Sequence, residues 1–229
     1  MNKDWSDKNK EIQALLAKEA SFCKAIDKLI EFREELFRQI GQLVEDCPNE
    51  AFYLMPFASS KGYHSKTLAY SIWHIFRIED IVAHEMIADD GQVLFRDGHL
   101  NAVASPIITT GNELEGKEIE EFSKKLNLKE LYLYAKAVKE SSDRILLQLQ
   151  YKDLKIKYGK ETKEKLIKSK CVSKNEKAFW LIDYWCGKNV KGLLQMPFSR
   201  HWIMHIEAML RIKDRLCKVQ AELMEKKSK

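Results

Sequence analysis

The sequence predicts an all-α protein, a bundle of four long helices with two or more shorter additions. Only nine glycines and four prolines occur in 229 residues, and so few helix breakers favour long uninterrupted elements. Apolar residues recur at helical spacing along most of the chain, and no segment of any length alternates like a strand. The 45% hydrophobic and 32% charged content is that of a globular chain, so we expect one domain over residues 1–229.

The N-terminal half is predicted to contain two of the long helices. Residues 6–45 form the first, with at most one break, and residues 47–66 are a connector with two prolines, a glycine and several serines. Residues 66–88 form the second helix. Residues 89–116 have no clear period and hold four of the nine glycines, so we expect a functional loop such as a lid or a pocket wall. The stripe of the first helix, with members seven apart, is Leu15, Phe22, Leu29, Leu36 and Leu43.

The C-terminal half begins with a short helix over residues 117–126 and a long one over residues 128–150. The stretch that follows, residues 152–177, has ten lysines against four acids and a short helix near residues 161–169. Lysine runs of this kind are usually solvated connectors, and a patch for an anionic ligand is the alternative. We treat the stretch as an insertion or connector within the single domain.

Two further helices complete the prediction. Residues 175–188 form one, because Asn175 is a good N-cap and Gly187 a good terminator. Residues 198–225 form the last, with Ser199 as its expected N-cap just after a proline.

Charge and cysteine content exclude several classes of function. The net charge is +5, from 39 basic and 34 acidic residues, which gives no concentrated basic face for nucleic acid. The five cysteines have no Cys-x-x-Cys spacing and indicate neither a disulfide framework nor a zinc knuckle. There is no apolar N-terminal signal region and no apolar run long enough for a membrane span. We therefore expect a cytoplasmic protein with reduced thiols.

The strongest chemical signal is a pair of histidines in the last helix. His201 and His205 are four residues apart, so both rings lie on one helix face, the spacing with which a helix offers two imidazoles to one metal ion. From the pair alone, two core histidines are the simpler interpretation. His74 lies between apolar residues in the second helix, and a third ligand is available if that helix faces the last one. Three neutral histidines leave a metal ion one open position.

Two other metal motifs fail. The segment "HEMIA" at residues 84–88 begins like the His-Glu-x-x-His helix of zinc proteases, but Ala88 replaces the second histidine. A di-iron carboxylate bundle needs Glu-x-x-His pairs, and no glutamate stands three residues before any of the four helical histidines.

Other polar residues are weaker candidates. His84 points about 80° away from His74 on a shared helix, so one of the two is expected to face outward. Glu85 is either an outer partner or general base near the histidines or an exposed glutamate. Arg77 is either a contact for a substrate carboxylate or an ordinary helix-surface arginine. His64 and His99 lie in connectors and are expected at the surface.

Two segments resemble a known family. Residues 67–88, "TLAYSIWHIFRIEDIVAHEMIA", and residues 193–216, "LLQMPFSRHWIMHIEAMLRIKDRL", resemble the second and last helices of the DinB/YfiT-like metalloenzyme family. Members of that family have one histidine on the second helix and a His-x-x-x-His pair on the last. These positions correspond to His74, His201 and His205. The resemblance spans most of residues 10–220 and includes "TTGNEL", "LYLYAKAV" and "LIDYWCGKNVKGLL".

The resemblance implies more than the residues themselves indicate. It implies a DinB-like four-helix bundle with up-down-down-up connectivity, often a homodimer, that binds one divalent metal ion such as zinc or nickel. It also implies activation of a thiol or water for group transfer, with a small-molecule thiol and an electrophile as substrates, and no DNA binding. The lysine-rich residues 152–177 depart from shorter members of the family. A non-catalytic bundle that binds metal or forms dimers is the alternative.

Overall fold

The protein is described by a computed structural model, which covers the backbone of residues 2–227 and the side chains of residues 2–219. Within these residues the regular elements are helical, apart from one isolated bridge between Lys157 and Asn189. The all-α prediction is confirmed. None of the described helices is long and apolar enough to cross a membrane. In chain order the α-helices are α1 (Lys3–Leu15), α2 (Phe22–Asp46), α3 (Leu68–Ile81), α4 (His99–Val103), α5 (Lys117–Lys125), α6 (Leu128–Gln148), α7 (Lys160–Ser169), α8 (Glu176–Cys186), α9 (Val190–Leu194) and α10 (His201–Lys227).

The predicted first helix is broken once, as expected, between α1 and α2. The Ser21 hydroxyl donates to the carbonyls of Leu15 and Lys18 at 2.8 and 3.2 Å, which satisfies carbonyls left free where α1 ends. The two helices pack against each other, and the Trp5 indole donates to Glu35 across them at 2.9 Å. The predicted connector after α2 contains only short 3₁₀ turns.

The second helix changes its hydrogen-bond pattern near its end. α3 runs directly into a π-helical turn, Val82–Ile87, which rotates later side chains away from the directions of a regular α-helix. All fourteen residues of α3 are buried. α3 is therefore the central helix of the fold, and every polar side chain on it must find a partner inside the protein.

The last helix begins differently from the prediction. Ser199 is not an N-cap, because it lies inside a second π-helical turn, Met196–Arg200, that continues into α10. Its buried hydroxyl donates to the Leu194 carbonyl at 3.0 Å. The expected cap of α8 is confirmed: the Asn175 side chain accepts from the backbone N–H of Lys177 at 3.0 Å, and Gly187 follows the helix.

The four longest helices share one core. α3 contacts α6 and α10, and α2 contacts the same two helices. Each contributes an aromatic ring to one cluster: Phe37 of α2 lies 5.7 Å from Phe76 of α3 and 5.4 Å from Tyr132 of α6, between ring centroids. Trp202 of α10 lies 4.8 Å from Phe76. This core holds α3 and α10 side by side, so side chains of the two helices can meet.

A buried ionic network, which the sequence did not reveal, joins the same four helices. Arg33 of α2 is fully buried and donates to both carboxylate oxygens of Glu79 on α3, at 2.8 and 2.7 Å. It also donates to Asp143 of α6 at 2.7 Å. Its guanidinium lies 4.5 Å from the ring centroid of Trp202, whose indole donates to Glu79 at 2.8 Å. Lys139 completes the charge balance by pairing with Asp143 at 2.9 Å.

The lysine-rich residues 152–177 form a 3₁₀ turn and α7, and α7 packs on α8 and on the first π-helical turn. Several of its lysines are paired: Lys165 contacts Glu85 at 3.1 Å, and Lys163 contacts Asp183. These contacts tie the stretch to the first π-helical turn and to α8.

Candidate metal centre

Three histidines from two helices meet in the core. His74 comes from α3, and His201 and His205 lie one turn apart at the start of α10. The ring centroids are 5.1 Å apart for His74 and His201, 4.8 Å for His74 and His205, and 4.6 Å for the α10 pair. Each offers one nitrogen within 4.8 Å of the others, and all three are buried. They are close enough to hold one metal ion, because α3 and α10 contact each other in the core.

The orientation of His74 is set by a backbone carbonyl. Its Nδ1 lies 2.8 Å from the carbonyl oxygen of Thr110. A carbonyl only accepts hydrogen bonds, so Nδ1 carries the proton and Nε2 keeps its lone pair. Metal-binding histidines are oriented in this way, with one ring nitrogen donating to a carbonyl or carboxylate.

The two α10 histidines lack hydrogen-bond partners. Nδ1 of His201 and both ring nitrogens of His205 are buried and unpaired among the described residues. Buried polar atoms are nearly always satisfied, because a missing hydrogen bond costs free energy. Imidazole lone pairs are good ligands for a divalent cation. The residues present therefore fit a metal ion.

The protonation state also suits a metal. Burial lowers the pKa of His74 to about 4. It lowers the pKa values of His201 and His205 well below the ordinary range, and the neighbouring histidines add to the effect. All three rings are therefore neutral at neutral pH, which is the form that binds metal.

Acid is expected to destabilise the metal-free protein. The unfolded chain takes up protons on its histidines near pH 6.5, whereas folded His74 does so only near pH 4. The unfolded state thus binds more protons in this window, so the free energy of unfolding falls as the pH is lowered from 6.5 to 4. Urea unfolding at half-unit pH steps measures how steeply the free energy of unfolding falls as the pH is lowered. His74→Phe should show a shallower fall than wild type, and His64→Ala should show the same fall as wild type. An equal fall in all three proteins would contradict the burial of neutral rings.

The predicted loop wall is fastened to α3 through its backbone. Four consecutive carbonyls each accept one hydrogen bond from an α3 side chain, at 2.8 to 3.0 Å. The strap, residues 108–111, thus holds the Thr110 carbonyl where it orients His74. The pairs are Arg77 with Ile108, Trp73 with Thr109, His74 with Thr110, and Tyr70 with Gly111.

Gly111→Ala is expected to loosen this strap. Gly111 has φ +78°, and a Cβ there would lie 3.0 Å from a ring carbon of Tyr70. Gly98→Ala is the matched control, because Gly98 has φ +77° but an added Cβ meets nothing within 4 Å. The positive φ alone costs about 1–3 kcal/mol in either variant, and only Gly111→Ala adds the contact with Tyr70. Gly111→Ala should therefore lower the free energy of unfolding, measured in urea, by more than Gly98→Ala does. Equal losses in the two variants would mean that the contact with Tyr70 is relieved without effect.

A cleft of about 480 Å³ reaches the histidines. His74 and His205 line it, and Tyr63 packs edge-on against His205 with ring centroids 4.7 Å apart. Asn112 and Glu115 also line the cleft, so the loop that was predicted to be a pocket wall forms part of the wall of this cleft. A small molecule can therefore approach these two rings from solvent.

Two of the weaker candidates lie elsewhere. Arg77 is neither at the surface nor free for a substrate, because its buried guanidinium donates to Asp80 at 3.1 Å, to the Ile108 carbonyl at 2.8 Å and to Gln92. Glu85 is partly buried and pairs with Lys165, and it does not line the cleft.

The expectation that His74 or His84 faces outward is wrong. Both are buried, and His84 Nδ1 bonds to Asp90 in the loop that follows the π-helical turn. That loop covers the side of the helix on which His84 lies. His64 and His99 are partly buried and outside the three-histidine cluster.

Comparisons with protein-family models, curated proteins and solved structures find no match for the chain.

Proposed function

We propose that this chain is a metal-dependent protein of the DinB type, in which His74, His201 and His205 hold one divalent ion. The observation that carries the proposal is that three buried histidines each bring one ring nitrogen within 4.8 Å of the others, while the described partners of the two α10 rings leave three of their nitrogens unpaired. Zinc and nickel both accept neutral imidazole ligands and are the ions implied by the family resemblance. The four-helix connectivity and the homodimer implied by that resemblance belong to the same proposal.

An enzymatic role is supported by the number of ligands and by access. Three protein ligands are the usual set of a catalytic zinc site, whereas a structural site is closed by four. A bound divalent ion would supply Lewis acidity, which lowers the pKa of a bound water to near neutrality and deprotonates a bound thiol. The cleft along His74 and His205 admits a small molecule to that position.

The residues of the chain prepare the site. The Thr110 carbonyl fixes the tautomer of His74, and Tyr70 stacks on the same ring with centroids 5.5 Å apart. Tyr63 covers one edge of His205. Because the two tyrosine rings are apolar walls, they limit the water around the histidines and leave the approach along the cleft. We propose transfer of a small-molecule thiol to an electrophile as the reaction.

The test combines metal analysis with an activity assay. Purified protein should carry about one zinc or nickel per chain, and it should transfer several cellular thiols to a chromogenic electrophile. Chelator treatment should stop transfer, and adding the ion back should restore it. Protein that keeps the metal but transfers no thiol would favour the non-catalytic metal-binding bundle. Protein that binds no stoichiometric divalent ion would overturn the proposal.

A further inference from the structure

Three chemically different side chains meet where α3 begins. Tyr70 and His74 are four residues apart on α3 and so lie on one face of the helix, and Lys66 stands just before the Thr67 N-cap. The Lys66 Nζ lies 5.0 Å from the Tyr70 ring centroid, and that ring is stacked on His74. All three line the cleft.

Lys66 combines partial burial with a charge that no described carboxylate pairs with. It is only partly exposed, and among the described side chains it makes no ion pair and no hydrogen bond. The one carboxylate in the cleft is that of Glu115, which pairs instead with Lys177 at 2.5 Å. Burial lowers the pKa of Lys66, an effect that Glu115 only partly offsets. A partly desolvated ammonium without a counter-charge is a position where a bound anion gains free energy.

From this arrangement we infer that Lys66 is the recognition residue for a carboxylate on the substrate that enters the cleft. The role of Lys66 in choosing the substrate rests on the proposed function. Its ability to bind an anion does not depend on that function. A single carboxylate suits the site because the only other lysine that lines the cleft, Lys61, is exposed, and the charge of Glu115 opposes a dianion such as phosphate. Lysine acts here as a point charge, without the paired donors of an arginine.

The distances define what kind of molecule fits. Tyr70 lies between the ammonium and His74, 5.0 Å from the Lys66 Nζ and 5.5 Å from the His74 ring centroid. A substrate that binds Lys66 by its carboxylate therefore crosses the edge of the Tyr70 ring to reach the histidines. Short aliphatic carboxylates with a reactive group at the far end have this shape.

The test uses two probes of nearly the same shape, the anion propionate and the neutral propionamide, with the full-length metal-free protein. Saturation-transfer NMR titrations give the dissociation constants. Wild type should bind propionate about tenfold more tightly than propionamide, a difference of about 1.4 kcal/mol. Lys66→Met should bind the two probes equally, and Lys66→Arg should keep the preference. Lys61→Met is the matched control on the same rim and should keep most of it.

Three results would overturn the inference. They are equal binding of the two probes to wild type, a preference that survives in Lys66→Met, and inorganic phosphate that binds more tightly than propionate. Circular dichroism shows whether each variant is folded, and Lys66→Arg guards against a purely structural effect.

The role in substrate choice is measured separately on metal-loaded protein. With 3-mercaptopropionate as the thiol, Lys66→Met should raise KM about tenfold and leave kcat unchanged, and with 3-mercaptopropionamide it should change neither. An unchanged KM for both thiols would overturn the role in recognition. If the protein binds no metal, the proposed function fails, and the propionate titrations still decide whether Lys66 is an anion position.

Discussion

His205→Ala is expected to abolish tight binding of the divalent ion. The variant removes one of three imidazoles and leaves two ligands, which hold an ion weakly in competition with water. Loss of an outer partner of a metal ligand typically costs 10- to 100-fold in affinity, so loss of a ligand itself should exceed about 100-fold. Competition with a chromophoric chelator measures the dissociation constant. In wild type the metal should also raise the melting temperature, because it binds only the folded state, and in His205→Ala this shift should disappear.

Two other histidines provide matched controls for that variant. His64 and His99 lie outside the three-histidine cluster, so His64→Ala and His99→Ala should keep the affinity of wild type. His201→Ala should behave like His205→Ala, because both rings come from one face of α10. If the metal affinity falls in none of the four variants, the ion binds elsewhere on the protein. If it falls equally in all four, the loss does not come from removal of a metal ligand.

Most of the helices, and the shared face of His201 and His205, could be predicted from the sequence for one reason, which is the regular geometry of an α-helix. Apolar periodicity predicts which segments are helical because burial of one face stabilises them. The spacing of His201 and His205 predicts a shared face, because helical geometry is regular. The position of His74 opposite them depended on packing, and only the resemblance to a family supported it before the structure was known.

The sequence did not predict where the helices depart from regular α-helical geometry. The two π-helical turns, Val82–Ile87 and Met196–Arg200, change which way later side chains point. Ser199 lies inside the second turn and is therefore not an N-cap, and His84 lies inside the first turn, where the angle expected for a regular α-helix does not apply. The second turn contains Pro197, which has no N–H to donate, and this was the one signal of irregularity in the sequence.

Buried charges were also missed, because their partners are distant in the chain. Arg33 lies in "EFREEL", which resembles a solvated polar face, and its partners Glu79 and Asp143 are 46 and 110 residues away. The backbone carbonyl of Thr110 that orients His74 has no side-chain signature at all. Lys66 was not singled out for a similar reason, since its lack of a partner is a property of the fold.

Arg33→Met is expected to be the most destabilising single change in the core. The variant leaves the fully buried carboxylate of Glu79 with one described donor, the Trp202 indole, in place of three. Removing one partner of a buried ion pair costs about 3–5 kcal/mol, because the remaining charge stays desolvated. Urea unfolding at neutral pH measures the loss in the free energy of unfolding.

The double variant Arg33→Met, Glu79→Gln separates the effect of charge from that of shape. The neutral amide can still accept from Trp202 and no longer carries an uncompensated charge, so the double variant should be more stable than Arg33→Met alone. Lys10→Met is the surface control, because Lys10 pairs with Asp7 at 3.2 Å in an exposed position, and it should unfold like wild type. If Arg33→Met is as stable as Lys10→Met, the network does not contribute to holding α2, α3, α6 and α10 together. If the double variant is no more stable than Arg33→Met, the loss comes from packing around the guanidinium, including its contact with Trp202, and the charge is not its cause.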